Sequence, residues 1–278
     1  MKKFSFTNII QWIKTFIVRL IKRQYPNKKL DNLKLNNYKK HLYTLFSSTE
    51  SYYLSPSLFN NWKQINEKKL LNIKIFSHDM VNKFMLKNYK NHPIYNIFLD
   101  ATIPVLKIDI FRLCFVYLYG GIWMDFKSNV NFDRLLEILK SGAYKNGLLI
   151  AEERFINIEV DNISIKKNVI HNGFFYLPQG SFFAKKLINT IVDESNLFYD
   201  ISFDNPKRAI LDFTGPHQYT KTFYKLPESK KPKLIKQDEI NFVYMLPYSR
   251  NFSILNISYN YSKLRNKLIL KSNYQKNL

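Results

Sequence analysis

The chain is poor in cysteine, in glycine and in acid. One cysteine among 278 residues leaves no intrachain disulfide to be made, which favours a reducing compartment. Cys114 lies in the apolar run LCFVYLY and reads as a buried, inert thiol. No His/Cys cluster has zinc spacing. The seven glycines form no Walker A loop, no GxGxxG and no GxSxG elbow, so the commonest phosphate loops and the serine-hydrolase turn are excluded. Acidic residues number 21 against 43 Lys plus Arg, a net charge of +22. Such an excess calls for an anionic partner: nucleic acid, an anionic membrane surface or a phosphate-bearing substrate. Long apolar runs are scarce as well. Residues 8–23, NIIQWIKTFIVRLIKR, are interrupted by Lys14 and Arg19 and lack a small-residue cleavage site. They read as neither a membrane span nor a signal peptide.

What is present is a core. Hydrophobic residues make up 46% of the chain and aromatics 16%, enough for a packed α/β domain with appendages. As a helix, residues 8–23 gather Ile9, Trp12, Ile13, Phe16, Ile17, Leu20 and Ile21 on one face, with Lys14, Arg19, Lys22 and Arg23 mostly on the other. A basic amphipathic helix of this kind lies in a membrane interface, or packs on its own domain. The expected organisation is a helix and linker over 1–42, one domain over 43–250 and a basic tail over 251–278. Within the domain, strands are expected at 43–47, 73–76, 122–124, 147–151, 170–178 and in EINFVYML (239–246). Helices are expected at 56–72, 79–89, 104–119, 181–199 and after Gly215-Pro216, with an exposed hairpin or loop at 161–169. Strands alternating with helices argue for an α/β fold with a mostly parallel sheet.

The stretch with most chemistry is PVLKIDIFRLCFVYLYGGIWMDFK (104–127). A helix opens at Pro104, and Asp109 and Arg112, three apart, share one of its faces. Two charges on an apolar helix are costly unless paired or used. The Gly120-Gly121 pair ends the helix, IWM forms a strand, and Asp125 stands at its end with Lys127 two residues on.

Asp109-x-x-Arg112, Leu118-Tyr119-x-Gly121 and Trp123-x-Asp125 resemble the DXD-containing sugar-transferase block of family 32 glycosyltransferases. That family includes yeast-type α-mannosyltransferases and bacterial capsule and lipopolysaccharide enzymes, and glucosylating clostridial toxins share the block. The chain supplies all of it except the final Asp, where Lys127 stands. The resemblance extends over about residues 56–225, with His171-Asn172-Gly173 and Thr214-Gly215-Pro216 as weaker matches. It implies a GT-A fold, a Rossmann-like sandwich, and retaining transfer of a hexose from a nucleotide diphosphate sugar to a glycan or lipid-linked acceptor in polysaccharide biosynthesis. It further implies that Asp109 and Arg112 hold hydroxyls of the donor sugar. Trp123 would sit beside nucleotide or sugar, and Asp125 would contact ribose, sugar and metal-bound water. Gly121, Asn172 and His217 complete the expected substrate-binding set, and His171, Asp212, Glu152 and Glu153 are further candidates for the acceptor side. The donor's own phosphate oxygen can take the acceptor proton in such enzymes.

The Asp-x-Lys departure leaves two readings. In one, the Lys127 ammonium replaces the Mn²⁺ or Mg²⁺ that otherwise sits on the diphosphate; in the other, a metal still binds through Asp125 and another residue. The first is favoured. The expected setting is the cytoplasmic face of a membrane, where a basic protein meets anionic lipid. The competing classes are a catalytically inactive family member acting as a binding or scaffold subunit, and a basic nucleic-acid-binding protein. No known nucleic-acid motif accompanies the charge, and no nucleic-acid partner is expected.

Overall fold

A computed structural model describes residues 28–29, 43–48, 53–54, 56–142, 144–160, 162–244 and 264–272. The expected helix over 8–23 lies outside the described residues. Two short strands, β1 (Lys28–Lys29) and β3 (Tyr53–Leu54), pair antiparallel with each other. Every other large element is organised by one six-stranded sheet. Its strands are β2 (Thr44–Ser48), β4 (Asn72–Phe76), β5 (Gly121–Met124), β6 (Leu148–Val160), β7 (Ile163–Leu177) and β9 (Lys233–Lys236), in the order β4-β2-β5-β7-β6-β9. Strands β4, β2 and β5 run parallel. Strand β7 is antiparallel to both β5 and β6, and β9 returns parallel to β6 on the far edge.

The pleat sorts each strand onto two cores. On one side Ile122, Met124, Leu45, Leu148 and Phe174 pack with α1 (Pro56–Glu67) and α5 (Phe132–Lys140), through Trp62, Ile65, Leu135 and Leu139. On the other, Phe46, Trp123, Leu149 and Phe175 meet α2 (His78–Tyr89), α3 (Pro93–Asp100), α4 (Pro104–Tyr119), α6 (Phe182–Glu194), α7 (Pro206–Phe213) and α8 (Pro216–Tyr224). The α/β sandwich expected from the sequence is the observed architecture. Among the described residues no helix is long and apolar enough to cross a membrane.

Helix α4 runs through the middle of the second layer and is apolar almost all round, as a fully buried helix must be. Gly120 ends it at φ 66, its N–H donating to the Val116 carbonyl at 2.8 Å. Gly121 then enters β5 at φ 121, and a Cβ there would stand 2.5 Å from the Phe46 ring and 2.9 Å from the Thr44 carbonyl. This glycine lets α4 turn straight into a central strand.

Four sequence expectations change. Helix α1 stops at Glu67 rather than running to residue 72. The segments read as separate strands around 147–151 and 170–178 are the base of one long hairpin, with register shifts in β6 between Leu149 and Phe155. The stretch EINFVYML forms no regular strand in its described part: residues 238–240 make a 3₁₀ turn, Asn241 is left-handed at φ 48, and Val243 bridges Asn129 alone. The edge strand is β9, just after the basic loop. Helices α3, α5 and α7 were not anticipated, although His92, Asn131 and Asn205 each cap one by accepting from the N–H of Ile94, Arg134 and Arg208.

Part of the stretch read as a tail is also structural. Strand β10 (Lys267–Leu268) pairs with β8 (Ser202–Phe203). Ile269 and Leu270 are 0% exposed, and Leu270 bridges both Ala101 and Tyr199.

Candidate active site

Helix α4 and strand β5 leave Gly120-Gly121 in different directions, yet the interior end of one meets the far end of the other. Asp109 and Arg112 face the sheet from α4, while β5 carries Trp123 and ends at Asp125. Arg112 joins them. Its Nη2 pairs with Asp109 Oδ1, while its Nη1 donates to Asp125 Oδ1 at 3.1 Å and to the Asn172 carbonyl at 2.6 Å. Trp123 Nε1 also donates to Asp125 Oδ1, at 3.0 Å, and the guanidinium lies 5.7 Å from the Trp123 ring centroid. Asn172 Nδ2 reaches Asp109 Oδ1 at 3.5 Å.

The side chains of Asp109 and Arg112 are 3% and 4% exposed, whereas that of Asp125 is 27% exposed. Two carboxylates around one guanidinium, with further hydrogen bonds, are what allow charge to be buried here. The sequence therefore brings Asp109, Arg112, Trp123, Asp125 and Asn172 into one network.

Asp125 is fixed by its backbone as well: its N–H donates to the Gly173 carbonyl at 2.7 Å and its carbonyl accepts from Ser128 at 2.9 Å. Gly173 has no side chain for a reason. A Cβ there would stand 2.7 Å from Asp125 Oδ2 and 2.6 Å from His171 Cε1. Lys127 occupies the turn from Asp125 to Ser128; it is exposed and has no hydrogen bond or ion pair among the described residues. Gly121 is not brought to this network. It stands at the opposite end of β5, where it lines a groove of about 990 Å³ with Phe46, Phe76, Phe84, Phe115 and Tyr119.

Two residues of this site were given no binding or catalytic role from sequence. Thr214 Oγ1 donates to Asp109 Oδ2 at 3.0 Å; the only signal was its place before the Gly215-Pro216 turn. Tyr219 is fully buried with an unpartnered hydroxyl in the field of Arg112 and Asp125, and burial pushes that hydroxyl well above the usual tyrosine range. Nothing in the sequence distinguished it from the 18 other tyrosines.

A second polar group adjoins the first through His171. Its Nδ1 accepts from the Gly173 N–H at 2.8 Å, which places the ring proton on Nε2, 3.9 Å from Glu152 Oε1. Burial, then the nearby Arg112 and Arg154, pull His171 down to about 3, so it is neutral. Glu152 is raised by burial against the opposing pull of Arg154, whose Nε donates to its Oε2 at 2.6 Å. Glu152 also feels His217. His217 Nδ1 lies 2.6 Å from Asp212 Oδ1, and Arg208 Nε donates to Asp212 Oδ2 at 3.0 Å. Burial works to raise the Asp212 carboxyl, but these hydrogen bonds outweigh it and hold it below the usual carboxylate range. Glu153, by contrast, is exposed.

For a divalent cation the donor set is thin. Asp125 Oδ1 is already engaged by Arg112 and Trp123, which leaves Oδ2. No three His, Cys, Asp or Glu side chains among the described residues are grouped to hold a metal. These residues do not fit a protein-built metal cage.

No family model and no curated protein matches the chain. Among solved structures the chain is similar to PaToxG glycosyltransferase at 13% identity, with 78% of this chain and 76% of that one covered and a TM-score of 0.44.

Proposed function

We propose that this chain is a glycosyltransferase that moves a hexose from a nucleotide diphosphate sugar to a glycan or glycolipid acceptor, with retention at the anomeric carbon. The observation that carries this reading is the buried Asp109–Arg112–Asp125 network at the end of strand β5, with Trp123, Asn172 and Thr214 completing it. Open sheets bind ligands beyond the ends of their strands, and Asp125 is the exposed member of the network. Arg112 and Trp123 hold its Oδ1, so Oδ2 is the oxygen left to accept from donor hydroxyls.

The chemistry needs positive charge where the nucleoside diphosphate leaves. Lys127, exposed beside Asp125 and without a partner among the described residues, supplies an ammonium for the diphosphate. A second reading, an inactive sugar-binding subunit, is favoured by the same residue, because a lysine stands where the family block has a second carboxylate. The anionic surface implied by a net charge of +22 is that of a membrane.

The test is a thermal-shift panel of UDP-, GDP- and CDP-sugars, with and without Mn²⁺. A sugar nucleotide at about 100 times its dissociation constant adds about 2.7 kcal/mol of stability. Turnover, abolished in Asp125→Ala and substantial in EDTA, supports an active enzyme using Lys127. Loss in EDTA with recovery in Mn²⁺ removes the lysine substitution, and binding without turnover selects the inactive subunit. No stabilisation by any sugar nucleotide ends the reading itself.

A further inference from the structure

The turn between α7 and α8 serves both polar groups at once. Leu211 and Ile210 close so tightly over it that a Cβ on Gly215 would stand 2.7 Å from Leu211 Cα. From this turn Thr214 reaches back to Asp109 in the donor network. Three residues later His217 emerges beside Glu152, with Asp212 behind it. Asp212, an acceptor-only carboxylate, fixes the ring proton on Nδ1 and leaves the Nε2 lone pair free. Nε2 has no partner among the described residues. Asp212 contacts His217 directly and carries Arg208 on its other oxygen, while Glu152, within electrostatic reach of His217, carries Arg154 and has His171 Nε2 3.9 Å away. His171 in turn abuts the Asp125 side of Gly173. A row of polar side chains thus runs from Asp125 to Asp212.

We infer that this row is the acceptor subsite and that His217 is the group that takes the proton from the attacking hydroxyl. The inference rests on the glycosyltransferase reading and adds its proton acceptor. In the step, the acceptor O–H bond breaks and its proton passes to His217 Nε2. The oxygen's electron pair forms the bond to the anomeric carbon on the face from which the nucleoside diphosphate departs, as retention requires. The pair of the breaking carbon–oxygen bond leaves with the nucleoside diphosphate. Asp212 is a positioning residue that holds the ring and stabilises the imidazolium. Glu152, with His171 Nε2–H beside it, orients the incoming hydroxyl. The rival proton acceptor is the donor's own phosphate oxygen.

The test uses water as the acceptor and the sugar nucleotide that stabilises the parent protein in the thermal-shift panel. Release of nucleoside diphosphate is measured for His217→Gln, Asp212→Asn and Asp212→Glu. For His217→Gln the expected result is a kcat about 10²-fold lower, with the donor-induced thermal shift retained, which also shows that the variant is folded. Asp212→Asn should lose about 10-fold in kcat with KM unchanged, and Asp212→Glu should recover most of it. Release within about threefold of the parent in His217→Gln overturns the inference and hands the proton to the phosphate oxygen. A parent protein that neither binds nor cleaves any sugar nucleotide fails one stage earlier, at the glycosyltransferase reading, and the two failures are distinguished by the parent alone.

Discussion

The two ends of strand β5 are four residues apart and chemically opposite. At the Asp125 end, Asp109 and Arg112 are buried, and hydrogen bonds tie them to Trp123, Asp125 and Asn172, so the geometry is held by directional contacts. At the Gly121 end, the backbone is in a left-handed conformation and a groove about 990 Å³ in volume is walled by Phe46, Phe76, Phe84, Phe115 and Tyr119. Side chains there are held by ring contacts, such as Phe76 on Phe115 at 4.7 Å and Phe46 on Phe115 at 4.6 Å. Directional bonds fix positions to fractions of an ångström; ring packing fixes shape and tolerates change. The proposed donor site lies at the first end, where directional bonds hold it.

The most severe way to break the contrast is Arg112→Met, which strands the buried Asp109 carboxylate and takes a partner from the half-buried Asp125. We expect a loss of about 3–5 kcal/mol, read by urea unfolding. Asp109→Asn is milder, since the amide still fits the Thr214 and Arg112 donors in part. Lys127→Ala should leave stability within about 0.5 kcal/mol, because the side chain is exposed. It should lower turnover about 10²-fold, the scale of losing one charge-stabilising donor.

At the other end, Gly121→Ala should cost about 1–3 kcal/mol from its φ and its clash with Phe46, measured as a lowered melting temperature. Between the two effects lies a pH test. His171 is neutral in the folded protein well below the ordinary histidine value, so the unfolded chain binds more protons as pH falls from about 6.5 towards 3. Stability should drop by up to about 1.4 kcal/mol per pH unit over that window, and His171→Phe should flatten the slope in urea titrations at pH 7 and 4.5. The smallest effect is expected for Tyr119→Ser on the groove rim, where the ring is 57% exposed: under about 1 kcal/mol, with turnover unchanged.

The same contrast explains what was legible in the sequence. Asp109, Arg112, Trp123 and Asp125 stood out because charge on an apolar helix and an acid after a Gly-Gly turn are locally improbable, and the structure joins them. The helix over 104–119 and the strands expected at 43–47 and 73–76, observed as Thr44–Ser48 and Asn72–Phe76, followed from apolar runs. Thr214, noted only within the Thr214-Gly215-Pro216 match, and Tyr219 were given no role, since their partners are more than 90 residues away in the chain and a threonine or tyrosine is unremarkable where it stands. The long β6–β7 ribbon was read as two short strands with an exposed hairpin or loop at 161–169; the hairpin is there, but the strands' full length was missed because the outer half has little core to face, so burial gave no alternation to read. Helices α5 and α7 announced themselves only through Asn131 and Asn205, caps that a search for apolar periodicity passes over. Strand β9 is four residues long at a sheet edge, where packing demands little of its side chains.

One consequence concerns how the protein is made. Every residue of the two polar groups, from Asp109 to His217, is synthesised before residues 264–272, yet these last residues cover the corner where α3 passes into α4. Thr102 donates its hydroxyl to the Leu268 carbonyl at 2.6 Å and its N–H to Ile269 at 3.0 Å, and Leu270 fills the space between Ala101 and Tyr199. A nascent chain therefore carries both polar groups while the helix that presents Asp109 and Arg112 is still unlatched at its root. The latch is made later than the groups it steadies, so the emerging polypeptide gains this support only after residues 264–272 have left the ribosome.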